Sequence, residues 1–249
     1  MMEEFLKFMA SPAGIAIFTI VALAIIIFFL AVNYRFFAKA FLDFLFGLIF
    51  FIIISPATAV CAVIVKKHAK KVCEKHWIVG KGGKPVCVRV FSDFSFGDKK
   101  SYISGSVLKY FPLLLSVISG KMSLVGPSPI SLRDGALIDD EYEARFDVRP
   151  GIFSSAALAF ARRPEYEEMF AADCDYAKKR SLLSDVRAFF TSMLRAMRGE
   201  KGEFLCVGGE GYAEELLARG EITAEQIEEA QKLADGEVEE LKRAKSRVG

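Results

Sequence analysis

Residues 44–65 read FLFGLIFFIIISPATAVCAVIV, an uncharged run interrupted near its middle by Ser55-Pro56. A helix rising ~1.5 Å per residue needs about 20 apolar residues to cross ~30 Å of hydrocarbon, so this run is long enough to enter a bilayer. Pro56 brings no backbone donor and its ring presses on the carbonyl of Ile52, which predicts a bend or a break. Arg35 and Lys39 precede the run, and Lys66, Lys67, Lys70 and Lys71 follow it. The preference of basic flanks for the cytoplasm draws both ends to one side. The expectation is therefore a re-entrant membrane helix, helix-break-helix at Ser55-Pro56. A kinked full span with its basic end outside is the alternative, and it would carry the rest of the chain out of the cell.

A second uncharged run, Ala13 to Val32, reads as an N-terminal transmembrane helix. A cleaved signal peptide is the competing reading. Against it stand Glu3 and Glu4 in place of a positive n-region, the length of the run, and the lack of a small-x-small site after it. The chain has 249 residues and 53% hydrophobic content, with the excess before Lys66, so an anchor plus one ordinary domain accounts for it. A net charge of +2 gives no reason to expect a nucleic-acid partner. Cys61, Cys73, Cys87, Cys174 and Cys206 are scattered and form no CxxC pair, so neither a disulfide framework nor a zinc site is expected. His68 and His76 are the whole histidine complement, which argues against a histidine triad and a His-rich metal site. No metal-ligating set emerges.

Downstream, Gly80 to Pro85 is a turn signal and Val86 to Phe91 a β-branched run that reads as a strand. Leu108 to Ile118 carries apolar residues at helical spacing and leads into Ser119-Gly120-Lys121-Met122-Ser123-Leu124-Val125-Gly126-Pro127-Ser128-Pro129, where glycine and two prolines force a loop. Arg149-Pro150-Gly151-Ile152 is a further tight turn. Glu165 to Met197 is helical by periodicity, with Tyr166, Phe170, Tyr176, Leu182, Leu183, Val186 and Phe189 as the expected buried face. Thr223-Ala224-Glu225-Gln226 has the form of a capping box opening a helix with Ile227, Ala230, Ala234, Val238 and Leu241 on one stripe. Such a helix packs on its own domain or, on the sharper reading, on a partner helix. The fold class is α/β, mostly α with a small sheet. Its expected divisions are an anchor over 1–35, the re-entrant segment over 36–71, a cytosolic domain over 72–205 and a helical extension over 206–249.

Three of these passages together resemble the bacterial sugar transferases, the monotopic phosphoglycosyl transferases that start membrane glycoconjugate assembly. Lys39 to Lys66, with Asp43 and Ser55-Pro56, is similar to their re-entrant helix. Gly120 to Pro129 is similar to their Gly-Asp-Met-Ser-Leu-Val-Gly-Pro-Arg-Pro loop, and Arg149 to Ile152 with Phe170, Asp173, Tyr176, Ser181-Leu182-Leu183 and Asp185 to their C-terminal part. The resemblance implies a phosphoglycosyl-transferase-like domain on the cytoplasmic face of the bacterial inner membrane. It also implies transfer of a sugar phosphate from a UDP-sugar to polyprenyl phosphate, with Ser123, Gly126, Pro127, Pro129, Arg149, Pro150 and Gly151 lining the pocket.

The sequence departs from the family where the chemistry lies. The family's nucleophile is an aspartate followed by a glutamate just before a Leu-Pro; counting back from Met122, that dyad falls on Lys109 and Tyr110. Lysine offers no acceptor and repels a metal, and a phenol near pKa ~10 stays protonated at neutral pH. The arginine between the loop's prolines is Ser128, the basic pair expected after the first strand falls on Val90 and Ser92, and the Thr-Gly after Pro-Gly-Ile has become Phe153-Ser154. No catalytic residue is assigned, and no cofactor is expected in this chain, with Mg²⁺ needed only by an active partner. The leading expectation is a non-catalytic subunit or regulator that contacts membrane lipid or polyprenyl phosphate and pairs with a catalytic phosphoglycosyl transferase, as a hetero- or homodimer. Two alternatives remain. One is an active enzyme whose carboxylates have moved to Asp93, Asp98 or Asp139-Asp140-Glu141; the other is a module that binds a nucleotide, such as a UDP-sugar, or a lipid phosphate without turnover.

Overall fold

The computed structural model describes residues 10–93, 95–96, 99–100, 107–160, 164–197 and 211–248. Glu3, Glu4, Asp98 and Cys206 lie outside them. The chain divides into two compact units, Met1–Phe41 and Leu42–Gly249. The first carries α1 (Pro12–Val32), which has no charged residue and leaves large side chains such as Ile20 and Phe28 open to the surroundings.

Helix α2 (Lys39–His68) is, among the described residues, the helix long and apolar enough to cross a membrane. It passes through Pro56 as one helix, so the expected break into two does not occur. The reason is local. Pro56 withdraws the N–H that the carbonyl of Ile52 would accept, and the Ser55 hydroxyl donates to that carbonyl instead at 2.9 Å. The one carbonyl that Pro56 orphans is thereby satisfied.

Both halves of α2 pack on the same globular unit. Phe50, Phe51 and Ile54 lie against a core of Ile78, Val88, Val90, Leu113, Val117, Met122, Leu124 and Ile152, while Cys61 and Val65 cluster with Phe91. Between them Ile52 and Ile53 stay exposed.

The expected strand appears as β2 (Pro85–Phe91). It pairs antiparallel with β1 (Cys73–Val79) in the register Trp77↔Cys87. Strand β1 was not expected from the sequence. Two short strands, β3 (Ser95–Phe96) and β4 (Lys99–Lys100), pair next to it in sequence. The helix expected over Leu108–Ile118 is split into a 3₁₀ turn (Val107–Tyr110) and α3 (Leu113–Ile118), because Pro112 sits at the N-cap and supplies no donor for a continuous ladder. Strand β5 (Ser123–Gly126) then pairs parallel with β6 (Gly151–Ser154), with α4 (Leu132–Gly135) and a 3₁₀ stretch (Asp140–Asp147) between them. A last 3₁₀ turn, Ser155–Leu158, leads toward the helical part.

Helices α5 (Tyr166–Lys179) and α6 (Leu182–Met197) fill the span expected to be helical. Phe170 and Tyr176 are buried as expected. Leu183 and Val186 are not: they are 59% and 43% exposed, in line with Phe190, Met193 and Leu194. Helix α6 instead turns Asp185, Ala188 and Ser192 inward, and Phe189 on its flank stacks on Phe50 of α2 with ring centroids 5.5 Å apart. An apolar stripe is thus left outward beside the membrane helix. Finally α7 (Tyr212–Arg219) and α8 (Ala224–Val248) dock on the domain, Ala234 and Val238 of α8 burying against the cluster of Val79, Ile130, Leu132 and Phe170. The stripe read from the sequence packs on its own chain.

Candidate functional site

The loop from Gly120 to Pro129 and the turn at Arg149-Pro150-Gly151 meet because β5 and β6 are parallel neighbours. Ser123 is opposite Gly151, the Ser123 N–H donates to the Pro150 carbonyl at 2.9 Å, and the Gly151 N–H donates to the Pro127 carbonyl at 2.9 Å. The approach is so close that a Cβ on Gly151 would overlap the Gly126 backbone, and one on Gly126 would lie 2.6 Å from the Arg149 carbonyl. Glycine at both positions is what lets the strands touch.

Helix α2 closes one end of this constellation. Asp43, on the first turns of α2 and buried, accepts from the Leu124 N–H at 3.1 Å and lies 2.7 Å from the Ser123 hydroxyl. That hydroxyl is also 2.8 Å from the Val125 carbonyl, so its one proton serves either acceptor. Arg149 spans the remainder, with Nη2 3.7 Å from the Asp43 carboxylate and Nη1 donating to the Gly120 carbonyl at 3.3 Å. One carboxylate on α2 therefore fixes the start of β5 and the turn before β6.

The other end is built around Asp173 of α5, which has no exposed surface. Its carboxylate accepts from Arg145 Nη2 at 2.9 Å, from the Ser128 N–H at 3.1 Å and from the Ser155 hydroxyl at 2.7 Å. Burial pushes the carboxyl up, while the guanidinium and the hydrogen bonds pull it back. Arg145, equally buried, also donates to the Ser128 carbonyl and lies over the Phe170 ring, 4.4 Å from its centroid. Removing one member of such a pair costs about 3–5 kcal/mol, because the other charge is left buried. Its Nε and Nη1 find no protein partner, and they border a cavity of about 10 Å³ with Pro127, Ser128, Val148 and Pro150, room for one water. Arg145 and Ser155 escaped the sequence reading: an arginine in the acidic stretch Asp139–Asp147 looks solvated.

Ser128 and Ser154, two of the departures noted above, touch each other, their hydroxyls 2.7 Å apart and both buried. Tyr176 joins α5 to α6 and β5, its hydroxyl 2.6 Å from Asp185 and 3.2 Å from the Val125 carbonyl. Beside Ser155 opens a groove of about 730 Å³ lined by Phe160, Glu168, Ala171, Asp175 and Lys179 among others.

The sequence-derived pocket residues Ser123, Gly126, Pro127, Pro129, Arg149, Pro150 and Gly151 thus fall on two adjoining strands and the loops at their ends. Ser55 and Pro56 sit on α2, with Pro56 exposed. Lys109 is engaged elsewhere: its Nζ is 2.6 Å from Asp93 just after β2, with the lysine side chain 14% exposed and the carboxylate 54%. Tyr110 packs against the core of β1, β2 and α3. His76 lies close enough for Lys109 and Asp93 to act on its charge, and burial pushes its imidazole below the ordinary range. Asp139, Asp140 and Glu141 are exposed.

Known proteins share part of this chain. Residues 98–199 match the family described as Bacterial sugar transferase. The exopolysaccharide production protein ExoY of Sinorhizobium fredii is 31% identical over 101 residues, which is 39% of this chain and 45% of that one. An uncharacterized sugar transferase of Haemophilus influenzae is 28% identical over 37% of this chain and 20% of its own length. The uncharacterized sugar transferase EpsL of Bacillus subtilis is 28% identical over 36% of this chain and 44% of its own. The chain spans less than half the length of each of these relatives.

Proposed function

We propose that this chain, whose residues 98–199 match the bacterial sugar transferase family, acts in the initiating step of polysaccharide or glycoconjugate assembly as a non-catalytic, membrane-seated subunit or regulator beside an active phosphoglycosyl transferase. The observation that carries the reading is Lys109. Counted along the family's motif it takes the nucleophile's place, and its ammonium is bound to Asp93 at 2.6 Å. A cation cannot attack phosphorus. Meanwhile the scaffold that would present the two substrates is retained: Asp43 on Leu124, the glycine contact of β5 and β6, and Arg145 on Asp173.

The membrane seat follows from α2 and α6. Both halves of α2, at Phe50 and at Val65, rest on one globular unit, and its basic flanks favour the cytoplasmic side of the inner membrane. The exposed Lys66, Lys67, Lys70 and Lys71 suit an anionic lipid surface, and the outward stripe of Leu183, Val186, Phe190 and Leu194 suits its acyl boundary. A polyprenyl phosphate would then be met in that leaflet, and a UDP-sugar from the cytosol.

Co-expression with a sugar transferase that keeps the Asp-Glu dyad tests the proposal. The two chains should purify as one complex in mild detergent, and the isolated chain should release no nucleoside monophosphate from UDP-sugars with polyprenyl phosphate and Mg²⁺. Clean separation removes the partner. Release by the isolated chain would return the enzyme reading with displaced carboxylates, and binding without release the module reading. Neither alternative gains from the geometry, since Asp93 is tied to Lys109 and Asp139-Asp140-Glu141 face solvent.

A further inference from the structure

The family resemblance implies a divalent cation held by carboxylates, and the residues present do not fit one. At the family's dyad position stand an ammonium and a phenol, neither a magnesium donor. The carboxylate nearest to hand, Asp93, already neutralises Lys109 at 2.6 Å. A dication brought to that carboxylate would meet a fixed positive charge, and among the described residues no three His, Cys, Asp or Glu side chains converge elsewhere. The ion pair also has a structural position of its own. Asp93 follows the end of β2, where the Ser92 N–H donates to the Val72 carbonyl, and Lys109 lies in the 3₁₀ turn Val107–Tyr110 that packs on β2. It therefore joins the end of β2 to the Val107–Tyr110 turn.

We propose that Lys109 is a built-in cation: its ammonium takes the place of a divalent ion in tying the Val107–Tyr110 turn to the end of β2, so that the chain binds no Mg²⁺ there and its stability draws on none. The lysine at the nucleophile position then supplies the positive charge itself, and the same side chain that ends the chemistry maintains the local structure. This rests on the family reading given above, but its test reads stability and metal binding and is independent of turnover or partner.

The test is thermal unfolding of the full-length chain in detergent, in Mg²⁺ and in EDTA. The parent should melt at one temperature in both. Lys109→Met should melt about 2–4 °C lower in both, the shift expected when about 1 kcal/mol is lost from a chain of this size. Lys109→Asp, which faces Asp93 with a second carboxylate, should fall further in EDTA and regain several degrees in Mg²⁺. A parent that is stabilised by Mg²⁺, a Lys109→Met variant that melts with the parent, or a Lys109→Asp variant indifferent to Mg²⁺ would each overturn the proposal. If Lys109→Asp does not fold, calorimetric titration of the parent with Mn²⁺ decides: binding tighter than about 1 mM overturns it, and no binding supports it.

Discussion

Replacing Asp43 by alanine should loosen the whole loop from Gly120 to Pro129, although the two are about eighty residues apart in sequence. The Leu124 N–H loses its acceptor inside a buried strand, a cost of about 1–3 kcal/mol for an unsatisfied group. The Ser123 hydroxyl turns to the Val125 carbonyl and loses little, and Arg149 keeps the Gly120 carbonyl but surrenders its counter-charge. Roughly 2–3 kcal/mol in all corresponds to a melting temperature lower by about 4–12 °C. Asp43→Asn should cost less, about 1 kcal/mol, because its amide oxygen still accepts from Leu124 while its NH₂ meets the freed hydroxyl oxygen. Differential scanning fluorimetry in mild detergent measures both. Ser123→Ala, alone and combined with Asp43→Ala, should show coupling of about 0.5–1 kcal/mol. An alanine variant within a degree of the parent, or an asparagine variant worse than the alanine, would refute the role given to this carboxylate.

Three further outcomes are expected. Gly151→Ala should fail to accumulate as folded protein, because its methyl group would overlap Gly126 on the neighbouring strand, and expression followed by size-exclusion in detergent reads this directly. Gly211→Ala should release α7 and α8 from the domain, since the added methyl strikes the Asp134 carboxylate that accepts from the Tyr212 N–H at 3.2 Å; limited proteolysis should then remove the C-terminal helices. His76, whose folded imidazole is pushed below its ordinary range by burial, is neutral when the chain is folded at neutral pH. Its contribution is complete above the unfolded pKa of about 6.5 and is lost as pH falls through the lower folded value, so stability should decline below about pH 6.5 and His76→Gln should flatten that decline.

Much of the fold follows from local pattern. The β-branched run from Val86 fixes β2, and the Thr223 capping box opens α8 as written, with Gln226 and Thr223 exchanging side-chain and backbone hydrogen bonds. Strand β1 was hidden because Glu74, Lys75 and His76 put polar residues on both of its faces before the apolar Trp77, Ile78 and Val79. Helix α6 shows the limit of periodicity: an amphipathic pattern gives two faces and not which one meets protein. Here Asp185 and Ser192 face in and the apolar stripe faces out, with Phe189 on the flank stacked on Phe50 of α2. At the site, the glycines and prolines were legible because each satisfies a backbone demand at its own position. Arg145 and Ser155 were not, because their role exists only through Asp173, nearly thirty and eighteen residues away.

The contribution of α2 to the interior gives this apolar helix a second role, as part of the globular unit. Phe50, Phe51, Ile54, Cys61 and Val65 supply one wall of the core, and Asp43 supplies the acceptor that β5 needs. A version starting after His68 would expose Val88, Leu113 and Val117 to water and leave the Leu124 N–H unanswered; it would be a fragment with a missing side, prone to aggregate, and not a soluble enzyme-like core. The globular part therefore reaches its final form only with α2 in place, because the helix completes its interior.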